Sequence, residues 1–252
     1  MRYKNGLVSI VMPAYNASDY IVASIDSVIK QSYENWELII VNDCSSDNTS
    51  DILYSIDNEK IKVINNLKNN GVALSRNVAI SHAKGQYLAF LDSDDLWLED
   101  KLMLQVKALE SNQNAISCHT SYDRINSNGE FLCNVTAVEK VNFKLMLKGN
   151  FIGNLTGIID RNKIFFDISQ KKVKHEDYLM WLEILKSNDV FFSIGLKDSC
   201  AKYRVVDGSV SSNKFKSVLW HWNILRCNLD FGCLISIRNV AYYIYYAVRK
   251  RT

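Results

Sequence analysis

Proline is nearly absent from this sequence: there is one in 252 residues, where average usage would give roughly a dozen. This excludes a Pro-rich disordered chain and a collagen-like chain. The six cysteines include no C-x-x-C pair, so the sequence has neither a zinc-finger pattern nor a small disulfide framework, and we expect reduced thiols in a cytoplasmic protein. Long apolar runs are also missing: the best, residues 240–248, is well short of the roughly 18 residues that a membrane span needs.

Neither basic nor acidic residues are in large excess. The chain has 30 basic and 27 acidic residues, a formal net charge of +3, which gives no indication of a nucleic-acid partner. Hydrophobic residues make up 48% of the sequence, enough for a substantial core at this length. We therefore predict a single domain over residues 1–252 rather than two small ones.

The first half alternates short apolar runs with segments of helical period, which predicts an α/β fold with a mostly parallel sheet flanked by helices. The predicted strands are Leu7–Met12, Trp36–Val41, Ile61–Ile64 and Gln86–Leu91. The predicted helices follow Asp19 (with Ile21, Ile25, Val28 and Ile29 on one face), begin near Asp47, and run over Val72–Ala83. Ligands of such sheets bind beyond the carboxyl ends of the strands, where Asp43 and Asp92–Asp95 lie. Pro13 is expected to end the pairing of the first strand.

The second half is less regular. We predict strands at Ala115–Ser121, Asn154–Asp160, Val190–Ile194 and Ala201–Val206, and a helix over Glu176–Ser187. A last helix has an apolar stripe at Leu234, Ile237, Ala241, Ile244 and Val248. Such a stripe is typical of core or partner contact, while the tyrosines and the basic end of this helix also suit peripheral contact with an anionic inner membrane.

The segment Asp92-Ser93-Asp94 directly follows an apolar strand. In a turn that leaves a strand end, the two carboxylates can converge on one hard cation, and oxygen ligands suit Mn²⁺ or Mg²⁺, which also bind substrate phosphates. The alternative is that these acidic residues cap a helix beginning near Leu96. Because an isolated Asp-x-Asp is common by chance, these residues alone favour the capping interpretation.

Four motifs in a fixed order change that weighting: Val8–Asn16, Trp36–Asp47, Asn70–Asn77 and Gly85–Asp95. Together they resemble the nucleotide-binding half of the inverting family 2 glycosyltransferases, and the resemblance covers roughly the first 110 residues. It implies a GT-A fold with a nucleotide-sugar half (1–111), a mixed acceptor and catalytic half (112–212) and C-terminal helices (213–252). The family's usual Asp-Asp-Gly-Ser is Asn42-Asp43-Cys44-Ser45 in this sequence.

The resemblance implies roles for individual side chains. Those on the donor side are Pro13, Ala14, Tyr15, Asn16, Asp43, Arg76, Asp92 and Ser93. Tyr15 would line a uracil pocket, Asp43 would hydrogen-bond the base, and Arg76 would reach the base or the phosphates. Asp92 would contact the ribose, and Asp94, with Asp92, would hold the metal.

The acceptor side would begin at Glu176-Asp177. A helix N-terminus stabilises carboxylates, which accounts for this pair without any catalytic role. The resemblance implies instead that Asp177 is the catalytic base and that Glu176, His175 and Trp181 contact the acceptor. Trp181 is an apolar floor for a sugar ring or a core residue. The segment Lys202–Ser211 resembles the family's closing motif, in which Arg204 pairs either with phosphate or with one of the two acids.

The implied activity is transfer of a hexose or N-acetylhexosamine from a UDP-sugar, glucose or galactose first, to a lipid-linked oligosaccharide in O-antigen or capsule assembly. One base opposite the leaving diphosphate implies inversion, hence a β-linked product.

Three alternatives stay open. A phosphatase of the haloacid dehalogenase type also has Asp-x-Asp after a strand, normally the first strand and followed by Thr or Val rather than by Asp95. A nucleotidyltransferase would need a Gly-rich phosphate loop that the N-terminal sequence lacks. A non-catalytic sugar-nucleotide binding protein would have no need of Asp177.

Overall fold

The computed structural model describes residues 3–205 and 214–249. Its strands are β1 (Lys4–Ala14), β2 (Trp36–Asn42), β3 (Ile61–Asn65), β4 (Gly85–Phe90), β5 (Leu96–Trp97), β6 (Ala115–Ile125), β7 (Phe131–Val135), β8 (Lys140–Val141), β9 (Ile158–Asp160) and β10 (Phe192–Arg204). Its α-helices are α1 (Ile21–Ile29), α2 (Thr49–Tyr54), α3 (Val72–His82), α4 (Lys101–Glu110), α5 (Phe143–Met146), α6 (Glu176–Lys186), α7 (Lys214–Asn223) and α8 (Cys233–Arg249).

One sheet joins these strands in the order β3-β2-β1-β4-β9-β6-β10-β5, with β7 paired to β6 and β8 to β10. Strands β3, β2, β1 and β4 are parallel, and each connection between consecutive strands of this group (β1 to β2, β2 to β3, β3 to β4) contains a helix, as parallel pairing requires a crossover. The short strand β9 is antiparallel to both β4 and β6 and joins the parallel half to the rest. The predicted α/β fold, mostly parallel in its first half and mixed in its second, is confirmed.

The strand ends of the parallel half lie at one edge of the sheet. Ala14 is in register with Asn42, and the Asp43 N–H donates to the Ala14 carbonyl at 2.8 Å. The pairing of β1 with β4 ends at Val11, opposite Phe90. The loops that follow β1, β2 and β4 therefore leave the sheet side by side.

The sequence had suggested that Pro13 ends the pairing of β1, but it does not. It lies opposite Val41, and pairing with β2 continues for one more residue. Alternate residues of a strand direct their polar groups to opposite neighbours, so Pro13 and Val11 face the same side, that of β4. Since the pairing with β4 has already ended before Pro13, its missing N–H removes no hydrogen bond between the two strands.

The core lies on both faces of the sheet. Val11, Ile39 and Phe90 belong to the cluster that packs against α3 and α6, whereas Ile10 and Met12 belong to the cluster that packs against α1 and α4. Burial of each such side chain stabilises the fold by about 1.5–3 kcal/mol.

Two expectations for the first half need correction. Ile29 is 45% exposed, because α1 buries only the face with Ile21, Ile25 and Val28. Leu96 begins β5, which pairs with β10, and the next helix starts only at Lys101. The capping interpretation of Asp92–Asp95 is therefore wrong.

Predictions for the second half are less accurate. Residues 154–156 form a 3₁₀ turn, so only the end of the predicted strand 154–160 is extended. The two strands predicted at 190–194 and 201–206 are one strand, β10, since its backbone pairs with β6 along its length through three register shifts. The serine-rich loop of the closing motif falls in residues 206–213, outside the described residues.

The stripe of the last helix faces outward. Leu234 is 84% exposed, and Ile237, Ala241 and Ile244 are exposed as well, whereas Ser236 and Asn239 face inward and are buried. The side chain of Val248 lies outside the described residues. Within the part of the chain that is described, no helix is both long enough and apolar enough to cross a membrane.

Candidate active site

A cavity of about 320 Å³ opens where β1, β2 and β4 end. Its walls come from the three loops that follow these strands and from the first turn of α3. The predicted donor and metal residues in the wall are Pro13, Ala14, Tyr15, Asp43, Asp92, Ser93 and Asp94. Asn69, Gly71, Val72 and Ser75 complete the lining; none of them was predicted as a site residue, although Gly71, Val72 and Ser75 lie within the motif at 70–77 and Asn69 adjoins it.

Asp43 fixes the loop that precedes α3. One of its carboxylate oxygens accepts hydrogen bonds from Asn66 Nδ2 (2.7 Å) and the Asn70 N–H (2.9 Å), and the other accepts from the Gly71 N–H (2.8 Å). Burial alone would raise the pKa of Asp43, but these hydrogen bonds outweigh it and hold the pKa below its ordinary value. The carboxylate that lines the cavity is therefore charged and rigid.

Asn16 acts on the neighbouring loop rather than in the cavity wall. It adopts a left-handed conformation (φ 48°), its backbone N–H donates to Ser45 Oγ (3.1 Å), and its Oδ1 accepts from the Ser46 N–H (2.8 Å). The loops after β1 and β2 are thereby tied together. The departures from the family pattern are accommodated here: Asn42 bonds to Ser50 and Asn65, and Cys44 occupies a left-handed position (φ 63°) that favours glycine.

Asp92 and Asp94 lie in a tight turn that follows β4. The Asp95 N–H donates back to the Asp92 carbonyl at 3.2 Å, and both flanking carboxylates line the cavity. Burial and the neighbouring Asp92 raise the pKa of Asp94, and the charges of Arg204 and Arg76 offset this rise only in part. Among the described residues, no group of three or more His, Cys, Asp and Glu side chains could by itself hold a metal ion.

Arg204 supports this turn from behind. Its Nε donates to the Asp94 carbonyl (2.9 Å), its Nη1 donates to the carbonyls of Asn126 and Ser127, and its backbone N–H donates to the buried Asp95 carboxylate (2.8 Å). Both interpretations of Arg204 from the sequence, phosphate pairing and an ion pair with the acids of α6, differ from this geometry. The Arg204 guanidinium also lies over the Tyr20 ring, 4.5 Å from its centroid.

Arg76 connects the turn to the start of α6. Its guanidinium is 6% exposed and donates to Asp92 (2.6 Å), Glu176 (3.3 Å) and Gln170 Oε1 (3.0 Å). Burial lowers the pKa of Arg76, but Asp92, Asp177 and Glu176 outweigh it, and the net shift is upward. Arg76 thus bridges Asp92 and Glu176 and is absent from the wall of this cavity, and its contact with the donor stays a prediction.

Gln170 and its contact with Asn77 belong to the site but were missed by the sequence analysis, which named Asn77 only as part of a motif. The Asn77 side chain bonds to both the N–H (2.7 Å) and the carbonyl (2.8 Å) of Gln170, as a neighbouring strand would. This pair fixes the segment before α6 on α3. Nothing in the local sequence indicates a contact between residues 93 positions apart.

The acidic pair begins α6, with His175 before it in a left-handed conformation (φ 60°). Burial and the nearby Asp177 raise the pKa of Glu176. The half-buried Asp177 has no hydrogen bond or ion pair with any described residue. His175 packs its ring on Trp220 at 5.1 Å, and burial lowers its pKa.

Two comparisons identify this arrangement. Residues 9–168 match the family described as glycosyl transferase family 2. The chain belongs to this family. It is 41% identical over 222 residues to the Escherichia coli UDP-Glc:alpha-D-GlcNAc-diphosphoundecaprenol beta-1,3-glucosyltransferase WfgD, covering 87% of this chain and 85% of WfgD. It is 38% identical over 224 residues to E. coli WfaP, which has the same activity name, covering 87% of this chain and 86% of WfaP.

Solved structures confirm the GT-A fold of this glycosyltransferase. S. aureus TarS 1-349 in complex with UDP-GlcNAc superimposes with a TM-score of 0.71 at 20% identity, over 94% of this chain and 71% of that one. The mannosyltransferase PcManGT from Pyrobaculum calidifontis, in complex with GDP-Man and Mn2+, gives 0.66 at 15% identity, over 94% and 69%.

The resemblance implied that Trp181 of the transferase contacts the acceptor, but the structure places its side chain in the core. Its side chain is fully buried, packs edge-on against Phe90 and fits against Gly157, where an added Cβ would lie 2.3 Å from the indole. Because no face of the indole reaches a cavity, Trp181 is a core residue that anchors α6 to the sheet.

The Arg76 bridge gives a prediction. In Arg76→Lys, the single ammonium cannot bond to Asp92, Gln170 and Glu176 together, so we expect at least about a tenfold loss of glycosyl transfer, because the two loops lose their mutual alignment. We also expect unfolding to become easier by about 1–3 kcal/mol. Initial rates and urea unfolding measure the two effects, with the exposed Arg238→Lys as the control. A wild-type rate in Arg76→Lys would show that the bridge does not align the site.

Proposed function

We propose that this glycosyltransferase moves a sugar from a UDP donor to a lipid-linked saccharide with inversion, in the assembly of O-antigen or capsule. The observation that carries the proposal is the cavity at the strand ends, joined through Arg76 to the acidic start of α6. Glucose is favoured over galactose as the transferred sugar, since both E. coli relatives are described as acting on UDP-Glc. The same descriptions support a β-linked product and an acceptor carried on a lipid diphosphate.

The donor occupies the 320 Å³ cavity in this proposal. Tyr15 is 51% exposed and offers its ring to the uracil, while the charged Asp43 accepts from the base. Asp92 and Ser93 lie where the ribose would contact the turn. Pro13 and Ala14 form the floor of the cavity.

Asp94, and the Asp92 oxygen that Arg76 does not use, fit a hard divalent cation, Mn²⁺ or Mg²⁺. The half-buried Asp94 carboxylate lines the cavity, and such cations combine one or two carboxylates with substrate phosphates and water. When bound, the cation would stabilise the negative charge of the leaving diphosphate.

Asp177 is the base in this proposal, and it accepts the proton of the attacking acceptor hydroxyl. It has no bonding partner among the described residues, whereas the adjacent Glu176 is held by Arg76. Glu176 and His175 then shape the acceptor side around Asp177. Attack assisted by one base, on the face opposite the diphosphate, inverts the anomeric centre.

The haloacid dehalogenase alternative is not favoured, because the Asp-x-Asp follows β4 and not β1.

The choice between an active transferase and a non-catalytic binder depends on Asp177. We expect Asp177→Asn to lower acceptor-dependent release of UDP at least about a thousandfold while UDP binds as in the wild type, because only the base is lost.

The assay incubates the protein with Mn²⁺ and a panel of UDP-sugars, with and without a lipid-linked acceptor, and follows UDP. The variant Asp189→Asn, on an exposed turn, is the control. Release of UDP from no donor, or equal release by Asp177→Asn at saturating acceptor, would contradict the assignment.

A peripheral site on the cytoplasmic face of the inner membrane is part of the proposal. The outward apolar stripe of α8, with Leu234, Ile237 and Ile244 exposed, supports it. We expect Leu234→Glu/Ile237→Glu to abolish co-sedimentation with vesicles that contain anionic lipid while leaving the unfolding transition unchanged. Binding of the variant equal to that of the wild type would reject membrane contact through α8.

A further inference from the structure

A second cavity, of about 350 Å³, adjoins the donor cavity. The two share Gly71 and Val72 at the start of α3. On the opposite wall lies the segment that leads into α6, with Lys172, Lys174 and Glu176. Glu176, in the lining of this second cavity, directly precedes the proposed base Asp177 in the chain. The activity described above uses none of its lysines.

The charge of this cavity is positive. Lys172 and Lys174 are exposed and form no ion pair with any described residue. Glu176, the carboxylate of the lining, is bonded to Arg76 and does not neutralise them. Lys171, one residue earlier, points elsewhere and pairs with Glu183 at 2.5 Å. Two of the three lysines are thus left for a ligand.

The segment that carries the lysines is held in place. Gln170 is bonded on both sides of its backbone to Asn77, and Val173 packs against the core cluster that contains α6. Lys172 and Lys174, on either side of Val173, both contribute to the lining of the cavity. Two cationic side chains therefore line one cavity, which suits an extended or doubly charged anion.

Resting on the function proposed above, we propose that Lys172 and Lys174 bind the diphosphate that joins the acceptor sugar to its lipid. The donor diphosphate belongs beside Asp92 and Asp94 in the first cavity, so a cationic second cavity lined by Glu176 calls for another anion. An acceptor anchored there by its diphosphate would extend its sugar toward Asp177. The lysines would then select acceptors that carry a diphosphate.

The test compares two acceptors with the same sugar: an α-GlcNAc diphosphate ester of a short lipid alcohol, and the octyl α-glycoside of GlcNAc, which has no phosphate. For Lys172→Ala/Lys174→Ala we expect the KM of the diphosphate acceptor to rise about tenfold or more with kcat within about twofold, because charge-assisted bonds to the anion are lost. We expect no change in the KM of the octyl glycoside or in the Kd of UDP. Lys171→Ala is the matched control and should behave as the wild type.

The two lysines could instead bind the diphosphate of the donor, and the measurement of the Kd of UDP tests this alternative. If the double variant weakens UDP binding and leaves the KM of the diphosphate acceptor unchanged, the lysines serve the donor and the proposal is overturned. It is also overturned if the wild type uses both acceptors with the same KM, in which case the proposed transferase function still stands. A wild type that transfers to neither acceptor, or to any other lipid-linked saccharide, overturns the function and this proposal together.

Discussion

The buried guanidinium of Arg76 holds the Asp-x-Asp turn against the first turn of α6, and the rest of the site depends on that contact. Asp92 and Glu176, its two carboxylate partners, are 84 residues apart in the sequence and belong to the donor side and the acceptor side respectively. A buried charge costs several kcal/mol unless it is paired and hydrogen-bonded. Each side therefore stabilises the arginine that aligns the other, and neither can shift without leaving a charge unpaired.

Around this bridge, the loops divide into residues that face the cavity and residues that hold the loops. Tyr15, Asp43 and Asp94 line the cavity. Asn16 ties the first two loops together, and Arg204 bonds to the backbone beneath the Asp-x-Asp turn. Rigid support of this kind keeps catalytic groups in position at no further entropic cost during the reaction. The lysines of the second cavity extend the same arrangement, since their segment is fixed by Asn77 and Gln170.

The parallel half of the fold and the cavity could be predicted from the sequence, because Leu7–Met12, Trp36–Val41 and Gln86–Leu91 are continuous apolar runs with polar residues at their carboxyl ends. Roles that depend on distant partners could not. Arg76, Arg204 and Trp181 lie in motifs that the resemblance linked to substrates, yet their contacts are with residues of their own chain far away in the sequence. The outward stripe of α8 was also hidden, because periodicity shows which residues share a face but not which way that face points. The division at residue 111 stays a prediction.

The central claim is that one carboxylate base, Asp177, works opposite a diphosphate leaving group held near Asp94. The stereochemistry of transfer tests this most directly. With an α-linked UDP-glucose donor, the proton NMR coupling constant of the new anomeric centre should show a β-linkage in the first product formed. A product that retains the α configuration would contradict the account, because retention needs a different mechanism from direct displacement assisted by one base.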